Sequence, residues 1–191
     1  MADRTILNRM LKMFLLLLIV LTAFTGCAVV HTYGPYYGKV INSETKEPLE
    51  GVAVLAVYYT EQHGPAGSVK HYADAQETVT DKNGEFKIPA NTATTFRPLQ
   101  SFEPWAWFAI FKPGYGCYPK HKGVKPMFVP NGTLPDDQYV IIELPKLKTK
   151  EERVENQRCE PVLIPKDKYR RFLNIINYER IDLGLEPVPI K

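Results

Sequence analysis

Apolar positions fall along this chain in three rhythms. From Met13 to Phe24 they run unbroken, with Thr22 the only polar member. From Tyr37 to Leu144 they come in short stretches rich in β-branched and aromatic residues: Tyr37–Ile41, Gly51–Tyr59, Glu77–Thr80, Glu85–Ile88, Trp105–Phe111 and Gln138–Leu144. Each stretch is bounded by turn-forming residues and reads as a strand. Beyond Lys166 the rhythm changes again. Tyr169, Phe172, Leu173, Ile176 and Leu183 lie at the spacings of one helix face. Asp167 near the start, Gly184 just past the end and Pro187 beyond frame a helix over about 166–183.

Many short strands with turns between them predict a mainly β chain: a β-sandwich carrying one C-terminal amphipathic α-helix. The strongest local signal is Asp81-Lys82-Asn83-Gly84 between two strands, because Asp bonds its own backbone and Asn-Gly tolerates positive φ. Two stretches read as long loops, 61–76 and 116–137. Lys146 to Arg158 is charged in both signs and reads as a solvated connector or a short exposed helix. Trp105–Phe111 is apolar on both faces, whereas one face of a sandwich strand normally meets water. The amphipathic C-terminal helix is the nearest cover for the second face.

The N-terminal run has a different meaning. Arg4, Arg9 and Lys12 precede it, and it falls short of the roughly 20 residues that cross a bilayer as a helix. It has the length of the apolar region of a signal peptide. Thr25, Gly26 and Cys27 follow directly. This ending resembles the lipobox of bacterial lipoproteins, where the thiol takes a diacylglyceryl group and the leader is cut just before the cysteine. Phe24 departs from the aliphatic residue usual there. The resemblance implies a signal peptide over 1–26, a lipidated (palmitate-carrying) Cys27 and a tether over 27–35. Alternatives are a buried thiol behind an ordinary signal peptide, or an uncleaved membrane anchor. Ala28 is not aspartate, which under the enterobacterial sorting rule implies an outer-membrane address facing the periplasm.

A second resemblance rests on an ordered series: Gly38-Lys39-Val40, then Lys46-Glu47-Pro48-Leu49-Glu50-Gly51-Val52-Ala53-Val54, then Thr80-Asp81-Lys82-Asn83-Gly84-Glu85-Phe86, then Lys112-Pro113-Gly114-Tyr115. Over about 36–147 it is similar to the carboxypeptidase regulatory-like domain, which implies a transthyretin-like/Ig-like β-sandwich. That family implies a non-catalytic structural or interaction module, with 148–191 as an appended connector and helix.

Composition adds exclusions. The formal charge is +3; the leader holds three basic residues and one acidic one, so without it the charge is +1. A balance that near zero gives no reason to expect nucleic acid. No His-Glu-x-x-His, Gly-x-Ser-x-Gly, phosphate loop or dinucleotide fingerprint is present. None of His31, His63, His71 or His121 has glutamate three residues on, so the zinc pair of metallocarboxypeptidases is missing. His63 and His71 flank one predicted loop near Glu61 and Asp74, without the close spacing of a metal site. No cofactor and no metal are expected. Trp105 and Trp107 read as core or helix contacts, with a sugar-stacking platform as the alternative. Once Cys27 is lipidated, Cys117 and Cys159 form an even pair, and in an exported domain that suggests a disulfide.

The sequence thus reads as a non-enzymatic envelope lipoprotein, bound to a membrane through its lipid, whose sandwich binds or braces another envelope protein or glycan. The alternative is a ligand-binding lipoprotein that recognises carbohydrate or peptide through loops 61–76 and 116–137.

Overall fold

The structure is a computed structural model that describes residues 9–10, 12–15, 29–65, 67–95, 100–124, 130–159 and 164–190. Cys27 and most of the expected signal peptide over 1–26 lie outside these residues. No helix among the described residues is long and apolar enough to cross a membrane.

Among the described residues nine strands run in the order β1 Val29–Tyr33, β2 Tyr36–Asn42, β3 Ala53–Gly64, β4 Gly67–Val79, β5 Glu85–Ile88, β6 Asn91–Thr95, β7 Gln100–Phe102, β8 Trp107–Phe111 and β9 Tyr139–Leu144. Two helices follow, α1 Lys150–Glu155 and α2 Arg170–Asp182, with 3-10 turns at Asn156–Cys159 and Lys166–Lys168. The chain is mainly β with a C-terminal helix, as its rhythm predicts.

One sheet has the order β5-β2-β9, with β9 parallel to β2. The other is built on β3, which pairs with β4 along one edge. Along its other edge β3 pairs with β7 at Thr60–Gln62 and with β8 at Ala53–Val57. A ribbon of β1 and β6 completes the strands.

Alternation explains the main core. On β9, Val140, Ile142 and Leu144 point inward while Tyr139, Ile141 and Glu143 face out. The inward set meets Val40 of β2, Val54, Ala56 and Tyr58 of β3, and Phe108 and Ile110 of β8. Gly38 sits where β2 and β9 run closest: a Cβ there would lie 2.2 Å from the Val140 carbonyl oxygen. The Asn-Gly turn forms as its residues dictate. Asp81 Oδ1 accepts from the backbone N–H of Asn83 and Glu85, and Gly84 takes φ 74°.

The outer face of the β3 sheet forms a second core. Ala53, Leu55 and Val57 of β3 and Ala109 and Phe111 of β8 pack against Tyr169, Phe172, Leu173 and Ile176. So α2 covers the second apolar face of the Trp105–Phe111 stretch. Its N-terminus is capped from another element: the Glu77 carboxylate of β4 accepts from the backbone N–H of Arg171 at 3.0 Å and of Phe172 at 2.9 Å. Near its other end, buried Glu179 takes a bidentate pair from Arg153 of α1 at 2.8 and 2.7 Å, and accepts from the Gly114 N–H at 3.2 Å. Arg153 also reaches Asp182 at 2.6 Å. These bonds hold the guanidinium above its ordinary pKa.

One expectation of the fold is corrected. The stretch 61–76 is not a loop; β3 and β4 stay paired to Gly64–Gly67. The ribbon they form reads as polar because its outer part has no buried face, so alternation has nothing to record. Within 27–35, expected as a tether, Val29–Tyr33 form β1, whose Thr32 hydroxyl lies 3.0 Å from that of Thr92 in β6. The charged stretch 146–158, expected as a connector or a short exposed helix, holds the short helix α1, opened by a capping box between Thr149 and Glu152.

Candidate functional site

On the outer face of β8 the side chains run Trp107, Ala109, Phe111. Helix α2 packs over Phe111 and Ala109. Trp107 lies beyond that cover, and the small Ala109 leaves room between. The free edge of β8 is closed by two irregular returns. Ile110 and Tyr118 exchange backbone hydrogen bonds at 3.1 and 3.0 Å, and the Phe108 N–H donates to Gly132 at 2.7 Å. Between these returns and the sheet lies an apolar cleft of about 350 Å³. Val57, Tyr59, Trp107 and Ala109 form one wall; Pro119, Lys120 and Asn131 form the other, and Cys159 reaches its end.

Trp107 is fixed by charge. Its indole N–H donates to the Glu103 carboxylate, which also pairs with Lys70. Glu103 is only 5% exposed. Lys70 Nζ rests 4.6 Å from the centre of the indole ring, a cation–π contact. The main-chain oxygen of Glu103 accepts from the Tyr33 hydroxyl at 2.8 Å. A buried carboxylate is costly unless paired and hydrogen-bonded; here an indole and an ammonium both serve it, and Trp107 is held as a rigid wall.

A second hollow of about 260 Å³ lies alongside, lined by Cys117, Lys120, His121, Lys122, Glu155, Asn156 and Cys159. Cys117 follows the turn after β8, and Cys159 ends the 3-10 turn after α1. Asn156 joins the two segments. Its side chain accepts from the Cys117 N–H at 2.9 Å and donates to the Tyr115 carbonyl at 2.8 Å. Both cysteines are buried free thiols within one core cluster. The structure thus holds two free thiols where the sequence suggested a disulfide. The Cys117 thiol is pulled down by the neighbouring Cys159 and by Lys120, against the opposing effect of burial. Burial pushes Cys159 up, and the neighbouring Cys117 adds to it. His121 is lowered by burial and by Lys122, so its ring is neutral at pH 7, and Nδ1 accepts from the Gly123 N–H at 3.0 Å.

The structure divides the other expected site residues. Trp105 precedes β8, is 37% exposed and does not line the cleft, so it forms no platform with Trp107. His63 and His71 sit on opposite strands of the ribbon, His63 opposite Ser68 and His71 opposite Thr60. The His63 ring lies 3.3 Å from the Ser101 hydroxyl. Among the described residues no group of three or more His, Cys, Asp or Glu side chains could hold a metal ion. Of the two supposed loops, 61–76 contributes Lys70 to the cleft, and 116–137 contributes Pro119, Lys120 and Asn131. Sequence reasoning missed Glu103, Lys70 and Ala109; a small residue between two aromatics on an outer face was the available signal.

No family model and no curated protein matches the chain. Among solved structures it is similar, over 63% of its length, to an alternative pilotin from the type II secretion system of Vibrio cholerae. The identity is 13%, the TM-score 0.28, and 99% of that chain is covered. A likeness that loose transfers neither fold nor function.

Proposed function

We propose that this chain is a non-catalytic lipoprotein of the cell envelope. In this reading residues 1–26 are a signal peptide and Cys27 carries the lipid. The sandwich is a module of the carboxypeptidase regulatory-like, transthyretin-like kind that binds another envelope protein. Several acyl chains on one residue make a stable tether, each buried methylene contributing about 0.8 kcal/mol. Ala28 after the cysteine favours the outer membrane, periplasmic side.

The observation that carries the interaction role is the apolar cleft between Trp107 and Pro119. A concave apolar site with a fixed aromatic wall suits an apolar side chain of a partner polypeptide. A glycan fits less well. The indole N–H is already donated to Glu103, and Lys70 occupies the ring where a sugar would stack.

Two measurements test the reading. Cys27→Ser should move the protein from the membrane to the soluble fraction and abolish palmitate labelling; label retained on that variant contradicts the tether. Ala109→Leu narrows the cleft at its floor and should remove the partner recovered after mild crosslinking of the membrane-bound protein. The same partner recovered at the same yield contradicts the cleft as its site.

A further inference from the structure

We propose that Cys117 and Cys159 form a dithiol site that reacts with a disulfide donor, Cys117 attacking first and Cys159 resolving, to lock the C-terminal segment onto the sandwich. The geometry supplies three of the needed parts. The two thiols belong to one buried cluster although they lie far apart in sequence, so the fold itself brings their segments together. Both line a hollow of about 260 Å³. And the backbone around them is already fixed, because Asn156 bonds both the Cys117 N–H and the Tyr115 carbonyl.

The pair is asymmetric. The neighbouring Cys159 and Lys120 favour the thiolate at Cys117. The Cys159 S–H points instead at the Tyr118 carbonyl at 3.9 Å, and burial pushes that thiol up. A low thiol beside a buried high one is the arrangement in which one sulfur attacks and the other resolves.

The steps balance without a metal or cofactor. The Cys117 thiolate, its proton given to solvent, attacks one sulfur of the donor and expels the other half as a thiolate. Cys159 then loses its proton to solvent and attacks the Cys117 sulfur of the mixed disulfide. This displaces the second half of the donor. Two cysteines are oxidised and one donor disulfide is reduced to two thiols. The new bond joins the return after β8 to the turn leading toward α2, and closes a ring around β9 and α1.

The test is independent of the lipid tether. The full-length chain carrying Cys27→Ser holds cysteine at positions 117 and 159 only. It is exposed to oxidised glutathione at pH 8, quenched with acid and weighed intact. The expected product has lost two hydrogens and carries no glutathione, and it melts about 10 °C above the reduced protein, as expected for a ring of this size. Adding Cys159→Ser should leave one glutathione on Cys117. Adding Cys117→Ser should slow adduct formation at least about tenfold, because burial disfavours the Cys159 thiolate. Two thiols still free after exposure, or glutathione retained on the Cys27→Ser protein, overturns the proposal. So does an adduct on Cys159 that forms as fast as the one on Cys117. If either added variant fails to fold, the mass of the Cys27→Ser protein alone decides.

Discussion

The two faces of the β3 sheet are closed by different means. The inner face is closed by strands: Val54, Ala56, Tyr58, Phe108 and Ile110 meet Val40, Val140, Ile142 and Leu144 in one continuous core. The outer face is closed by a single helix from the far end of the chain, and only in part. Every strand residue on the inner face has a partner fixed by alternation. On the outer face the cover stops near Ala109, and the gap becomes a cleft with Trp107 as its wall. The inner face thus specifies the fold, while the outer face holds the features that can meet another molecule: the cleft, the paired thiols and the charge cluster at Glu103.

The largest way to break this contrast is to remove the cover. Deleting 166–191 uncovers Leu55, Val57 and Phe111 of the outer core, large side chains whose burial is worth about 1.5–3 kcal/mol each. The truncated protein should aggregate or lose cooperative unfolding by calorimetry; an unchanged melting temperature would show that the helix is not a cover. A single cavity should act the same way in miniature. Phe172→Ala is expected to cost about 3–5 kcal/mol in urea unfolding.

Next comes the clamp at the end of α2. Glu179→Ala leaves the Arg153 guanidinium and the Gly114 N–H without their acceptor. Arg153 keeps Asp182 and some solvent, so the expected loss is about 2–3 kcal/mol. Glu77→Ala removes the cap on α2 and should cost about 1 kcal/mol, with faster hydrogen exchange at the amides of Arg171 and Phe172.

The smallest effect concerns α1 alone. The backbone N–H groups of Lys148 and Thr149 hold the exposed Glu152 carboxyl below its ordinary range. A depressed carboxylate stabilises above its unfolded pKa, and that contribution fades as pH falls through the depressed value. Helical signal from α1 should therefore weaken on acidification below the ordinary glutamate range. Glu152→Gln should flatten that dependence.

The contrast also explains what the sequence could tell. The inner core was legible because strands with one buried face alternate, as in β9, and because Asn83-Gly84 admits few other conformations. Helix α2 was legible from its one apolar face. The ribbon beyond Tyr59 was not, since a polar strand leaves no periodic trace. Nor was the cap on α2: Glu77 lies over ninety positions away along the chain from the amides it accepts, and only folding brings them together. The pairing of Cys117 with Cys159 was suggested by counting alone; their meeting depends on Asn156 drawing the turn after α1 against the return after β8. The cleft was least visible, because it is made by what Ala109 lacks.

The most direct test compares the two exposed sides of the sandwich in the full-length protein expressed in cells. A photoreactive residue placed at Asn131, on the rim of the cleft, is compared with one at Ile141, 48% exposed on the opposite sheet. If the outer face of the β3 sheet is the interaction side, illumination yields a discrete adduct from position 131 that Ala109→Leu abolishes, and none from position 141. An adduct from position 141 alone, or equal adducts from both positions unaffected by Ala109→Leu, would contradict it.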